Sequence, residues 1–166
     1  MIIHVNELEK ATGRTIALEG SITVGLPQQP GVRLEDFSFA GKARKEGELV
    51  IVEGALSGIL KSKCAKCLAP TTYSFEAPFE ESFTEGEVDE ESDIHSYQGG
   101  RIDLAHYFDQ VVMLEMPQIF TCIEDCKGLC PTCGKNRNEH SCECVNERID
   151  PRLADLALLF NKENNK

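Results

Sequence analysis

The sequence predicts an α+β fold that is mainly β: an antiparallel meander curled into a small barrel or sandwich, one or two helices, and a cysteine-rich knuckle region. Three observations carry this. Short β-branched and aromatic runs bounded by glycine fill the first half of the chain. The apolar period changes from two to about 3.6 near residue 102. Eight cysteines stand in closely spaced pairs. The length of 166 residues allows one modest core and fits no larger assembly of domains.

Residues 1 to about 75 read as strand. Ile2, His4 and Asn6 alternate with Ile3 and Val5; Arg14 to Glu19 and Ser21 to Val24 follow, separated by turn chemistry at Thr12-Gly13. Pro27-Gln-Gln-Pro30 and Gly31 form a loop. Phe37 to Gly41, Leu49 to Gly54 and Leu56 to Leu60 are short and bounded by glycine, and Arg44 to Gly47 is the turn joining the first two. Thr71 to Phe79 is a further strand, ended by Pro78 or placed by it at a sheet edge, because proline donates no ladder hydrogen bond.

Residues 67 to 100 hold no Lys or Arg but contain Glu76, Glu80, Glu81, Glu85, Glu87, Asp89, Glu90, Glu91 and Asp93. Such a block is either a solvated loop or an acidic arm for a basic partner. From 102 to 116 one helical face carries Leu104, Phe108, Val111 and Val112, with Asp103 as N-cap and Pro117 as stop. A second helix is expected over 151–160, with Asp150 as N-cap, Pro151 at the first position and Leu153, Leu156, Ala157 and Phe160 as its stripe. These elements divide as a β-rich domain over 1–117 and a cysteine-rich region with the C-terminal helix over 118–166, packed as one unit.

The formal net charge is −11, from 28 acidic and 17 basic residues. That argues against a general charge-driven grip on nucleic acid, which needs Lys and Arg to release counterions. Two four-thiolate zinc sites would take the total towards roughly −15. No apolar run approaches the roughly 18 residues of a membrane helix. The opening MIIHVNELEK has no secretory pattern, so the expected location is cytoplasmic, where cysteine pairs read as metal ligands or redox centres before disulfides.

Cys64-Ala-Lys-Cys67 lies between two predicted strands. A C-x-x-C turn on a hairpin tip points both sulfurs at one tetrahedral ion; the same spacing also suits a dithiol redox pair, although no strand-to-helix context follows to lower a thiol pKa. Cys130-Pro-Thr-Cys133-Gly is a stronger knuckle, because Pro131 fixes a turn dihedral and Gly134 lets amides approach the sulfurs. Cys142-Glu-Cys144 can complete it. Cys130, Cys133, Cys142 and Cys144 therefore make one local four-cysteine site, closed to water and structural rather than catalytic. By ligand count, Cys64, Cys67, Cys122 and Cys126 make a second. His140, inside the last loop, could replace a cysteine or simply be solvated. Zinc suits such donors, and so does iron.

Lys42, Arg44, Lys45, Lys61, Lys63 and Lys66 flank strand ends and are the candidates for a basic edge facing RNA or a protein partner; scattered surface lysines are the alternative. No G-x-S-x-G, H-E-x-x-H or phosphate loop is present, and His4, His95 and His106 stand alone. The expectation is a protein without an active site.

The ordered series of motifs carries a resemblance. Lys63-Cys-Ala-Lys-Cys-Leu-Ala-Pro70 precedes an acidic stretch and Ile102-Asp-Leu; then come Leu114-Glu-Met-Pro117, Cys126-Lys-Gly-Leu-Cys-Pro-Thr-Cys-Gly134, Cys142-Glu-Cys144 and Ile149-Asp-Pro-Arg-Leu-Ala154. Over about residues 35 to 160 this resembles the YceD family, tied to accumulation of large-subunit ribosomal RNA, in its Gram-positive and plastid branch. The resemblance implies an accessory role in synthesis, processing or stability of that RNA, with no catalytic residue carried over. The implied partners are ribosome-assembly or rRNA-processing proteins, with contact to rRNA through a basic edge and no membrane or small-molecule substrate. A redox-switched zinc-thiolate chaperone, ejecting metal on oxidation, is the competing class.

Overall fold

The fold is built on three long strands. A computed structural model describes residues 1–25, 31–88 and 92–144. In chain order they form β1 (Ile2–His4), α1 (Val5–Lys10), a 3₁₀ turn (Thr12–Arg14), β2 (Thr15–Ser21), β3 (Arg33–Glu46), β4 (Leu49–Lys63), β5 (Pro70–Glu85), β6 (Ile94–Tyr97), β7 (Arg101–Asp103) and α2 (Ala105–Glu115). Strands β2-β3-β4-β5-β6 make one sheet in that order, and β1 and β7 make a separate pair. The expected mainly β fold is therefore present, with two helices. Among the described residues the meander stays an open sheet and no barrel closes.

Two glycine-bounded runs expected as separate strands, Leu49 to Gly54 and Leu56 to Leu60, are one strand of 15 residues. The reason is packing. Gly54 sits opposite Gly41, and a Cβ on Gly54 would lie 2.8 Å from the Phe39 ring and 2.5 Å from the Ala40 carbonyl. The glycines are not breaks but floor space for an aromatic ring lying on the sheet. The turn expected over Arg44 to Gly47 is shorter: Arg44, Lys45 and Glu46 stay in β3, Glu46 pairs with Leu49 across Gly47-Glu48, and Gly47 takes φ +62°. Pro78 lies inside β5, opposite Ala55, where among the described residues the far side of β5 carries no strand; β6 joins at Ser82–Glu85, in parallel.

The sheet buries one face. Phe37, Phe39, Val50, Val52, Leu56, Leu60, Phe75, Phe79 and Phe83 point to one core with Phe108 and Val112 of α2, Leu8 of α1, and Ile3 and Ile102 of the small pair. Phe39, Phe79 and Phe108 meet with ring centroids 5.0–5.4 Å apart, within the range where aromatic pairs attract.

Residues 5–10 were expected as strand and are helix α1. Val5 and Leu8 are its buried positions, three apart, a helical period that the preceding alternation hid. The helix expected from 102 begins at 105, because Ile102 is drawn into pairing with Ile3. The N-cap is Leu104 instead of the expected Asp103, because the start has moved past Ile102; the Asp103 carboxylate, one residue outside, still accepts the Ala105 N–H at 3.1 Å. Met116, extended before Pro117, ends it. The helix expected over 151–160 lies outside the described residues.

Candidate metal centres

The hairpin between β4 and β5 closes on Cys64 and Cys67. The Cys64 N–H donates to the Ala69 carbonyl at 2.8 Å, and the Leu68 N–H donates to the Cys64 carbonyl at 2.9 Å. The second knuckle repeats this wiring: Cys130 N–H to the Lys135 carbonyl at 2.8 Å, and Gly134 N–H to the Cys130 carbonyl at 2.8 Å. Each tight turn leaves spare N–H groups aimed at sulfur, and the Lys66 N–H lies 3.4 Å from Cys64 Sγ. The residue after the second cysteine must be left-handed in both: Gly134 at φ +72°, and Leu68 at φ +62°.

Cys64, Cys67, Cys122 and Cys126 bring their sulfurs together, and so do Cys130, Cys133, Cys142 and Cys144; within each group all sulfurs lie within 4.8 Å of one another. The grouping is the one ligand count suggested. In the first cluster Cys64 Sγ is 3.7 Å from Cys126 Sγ, and Cys67 Sγ is 3.5 Å from Cys122 Sγ. A tetrahedron with metal–sulfur bonds near 2.3 Å has edges of about 3.8 Å, whereas a disulfide needs about 2.05 Å. All eight thiols are free. The sulfur arrangement therefore fits a four-coordinate ion. His140 is exposed, and its N–H serves the Asn136 carbonyl; it belongs to neither cluster.

The thiols are electrostatically unlike. Burial pushes Cys64 up, but N–H groups of Cys122, Cys67 and Lys66 outweigh it and bring it down to about 6. N–H groups of Cys133 and Thr132 likewise bring Cys130 down to about 6. The thiol contact with Cys67, with burial, pushes Cys122 up to about 12, and contact with Cys133 does the same to Cys144. Against burial, Cys126 is also held down, chiefly by the Asn138 amide, while Cys67 and Cys142 are pushed up, so each cluster holds at least one thiol that ionises readily and others that ionise only as a cation arrives.

Residues 118–123 tie the first cluster to the fold. The Ala65 N–H donates to the Phe120 carbonyl at 2.8 Å, and Phe120 packs edge-on against Tyr73 of β5. Gly128 brings the chain back under the hairpin. The Leu129 N–H reaches the Lys66 carbonyl at 3.0 Å, and a Cβ on Gly128 would approach that oxygen to 2.9 Å.

The family can now be stated. A family model described as "Large ribosomal RNA subunit accumulation protein YceD" matches residues 52–160, which takes in both knuckles. The chain belongs to the YceD family. It is 30% identical to the protein YlbN of Bacillus subtilis over 80% of this chain and 78% of that one. It is 31% identical to a Mycobacterium tuberculosis protein over 99% of this chain and 83% of that one. A shorter match, 32% identical over 39% of this chain and 20% of the other, is to the chloroplast "Large ribosomal RNA subunit accumulation protein YCED homolog 1" of Arabidopsis thaliana. No solved structure matches.

The six candidate basic residues do not gather into one unpaired surface. Lys42 lies 2.9 Å from Glu53, and Arg44 is 3.9 Å from the same carboxylate and also pairs with Glu46. Lys45 pairs with Glu9, and Lys61 with Glu35. Lys63 and Lys66 flank the first knuckle and are exposed. His95, expected to stand alone, lies 2.8 Å from Glu81. Two site residues went unnoticed in the sequence. Asn138 donates to Cys126 Sγ at 3.2 Å, and only an asparagine inside the Cys133–Cys142 loop hints at it. Leu68 holds a conformation in which leucine leaves no sequence signal.

Proposed function

We propose that this chain is a non-catalytic accessory factor in ribosome biogenesis, acting in synthesis, processing or stability of large-subunit ribosomal RNA. The observation that carries the reading is the YceD match over residues 52–160, whose description names that RNA. The two clusters hold zinc as closed four-thiolate centres, with no position left for water or substrate, so the metal builds shape instead of doing chemistry. The rigid tip presents Lys63, Lys66, Lys127, Lys135 and Arg137 beside Glu124, Asp125, Glu139 and Glu143. That mixed charge suits a ribosome-assembly or processing protein better than bare RNA. The pairing of Lys42, Arg44, Lys45 and Lys61 with Glu53, Glu46, Glu9 and Glu35 supports the same preference. The setting is the cytoplasm.

Depletion of the protein in its own cell tests the proposal. The ratio of mature large-subunit to small-subunit RNA should fall and recover with the wild-type chain. A ratio that stays level through depletion rejects it. Pull-down with and without nuclease then separates partner protein from RNA, and elemental analysis should return two zinc ions per chain.

A further inference from the structure

We infer that Asn138 couples the two clusters, so that the loop closing the second centre also supplies a stabilising ligand contact to the first. The inference rests on reading both clusters as metal centres. Asn138 lies between Cys133 and Cys142, in the loop that the second ion must close. Its side chain leaves that loop and serves the first cluster. Nδ2–H donates to Cys126 Sγ at 3.2 Å, and Oδ1 accepts the Lys127 N–H at 2.8 Å. Asn136 orients the amide, its Oδ1 accepting from Asn138 N at 3.1 Å and from Nδ2 at 2.8 Å. The Arg137 N–H donates to the Gly128 carbonyl at 2.9 Å. Residues 127–129 are thus clipped to 136–138, with Leu129 and Asn136 bridged as in a minimal antiparallel pair.

A donor on a metal-bound sulfur draws off charge and fixes the ligand's direction, and losing such a partner weakens metal binding by about 10- to 100-fold. Here the donor is in place only when its loop is ordered, and an ion among Cys130, Cys133, Cys142 and Cys144 orders it. Filling the second centre therefore strengthens the first, and by thermodynamic reciprocity filling the first strengthens the second by the same factor.

The experiment uses the full chain loaded with cadmium, which gives one NMR signal per centre, followed by chelator competition read at each signal. Replacing Cys142 and Cys144 by serine should weaken the first centre by about 10- to 100-fold. Asn138→Ala should weaken it by a similar factor, and Asn138→Asp by more, since it sets a carboxylate beside a thiolate. In the Asn138→Ala background, removing the second centre should add nothing. This cycle separates coupling from general destabilisation, and the β-sheet circular dichroism should not change, because Asn138 lies outside the apolar core. The inference fails if Asn138→Ala leaves the first centre within about twofold of wild type, or if removing the second centre costs the same with and without Asn138. A chain that takes up no metal overturns the proposed function's metal reading as well, a result distinct from two filled but independent centres.

Discussion

The two clusters share one knuckle and differ in what completes it. Cys64 and Cys67 meet sulfurs 62 and 55 residues away, and Cys64, Cys67 and Cys126 are buried. Cys130 and Cys133 meet Cys142 and Cys144, only a short loop further on, with Cys133 exposed and Cys142 and Cys144 half-buried. The first cluster therefore closes a long loop and welds the tip to the end of β4 and β5. The second closes a short one and shapes its own knob, reaching the first cluster only through the loop that carries Asn138. The same local turn thus does two jobs, and the difference is set by the contour length of chain it closes and by its exposure.

Exhaustive chelation should give the largest effect and order the two. Zinc in small thiolate sites contributes about 10–16 kcal/mol of apparent binding free energy that is also folding free energy. The second cluster, more exposed than the first although Cys130 is buried, should release its ion first, and the first cluster only later; hydrogen exchange of residues 118–144 should collapse in two stages while the Phe39–Phe79–Phe108 core stays protected. Simultaneous loss from both clusters with the core would erase the distinction drawn between them.

Removing one ligand from each cluster sharpens the contrast. Cys64→Ser should lower global stability by more than about 3 kcal/mol, since it breaks the weld and leaves a hydroxyl in a buried site. Cys133→Ser should lower the thermal midpoint of the sheet far less than Cys64→Ser does, costing the second ion outright and the first only the affinity that Asn138 lends it, as read by elemental analysis and chelator competition.

The position after each second cysteine offers a smaller, opposite pair of effects. A leucine at φ +62° is strained by about 1–2 kcal/mol relative to glycine, so Leu68→Gly should raise stability by about 1 kcal/mol. Gly134→Ala, at φ +72° with open space around its Cα, should weaken the second centre by a similar amount. Denaturant titration of each variant with metal bound checks both signs.

The smallest effect is that of pH on the metal-free chain. Cys64 and Cys130, held down to about 6 against an ordinary thiol value of about 8.5, favour the folded state once ionised. Their contribution is complete above the ordinary value and is lost as pH falls through about 6. Cys122 and Cys144, pushed up to about 12, oppose it above the ordinary value. Stability of the metal-free protein should therefore rise between pH 6 and pH 8 and level off or fall beyond; a flat profile over that range would refute the assignment of a readily ionised thiol to each cluster.

The sequence by itself determined what depends on neighbours along the chain. The two C-x-x-C turns, the hairpin at Gly47, the stop at Pro117 and the buried stripe of α2 follow from spacing, backbone restrictions and period. So does the second cluster, whose four ligands span Cys130 to Cys144. What remained was decided by contacts between distant segments. Gly41 and Gly54 read as strand ends until Phe39 is seen lying over them. Val5 to Lys10 and Ile102 exchange their expected states because β1 and β7 find each other across about a hundred residues. Four of the six cations of the expected basic edge are held by carboxylates on neighbouring strands or on α1, among them Lys61 by Glu35 and Lys45 by Glu9. Cys122 and Cys126 could be matched to the hairpin by counting, but the direction of Asn138 could not, since a side-chain hydrogen bond across a loop leaves no period and no spacing. Local sterics are written in the order of residues; the choice among distant partners is made only when the whole chain competes to bury its apolar face and satisfy its polar groups.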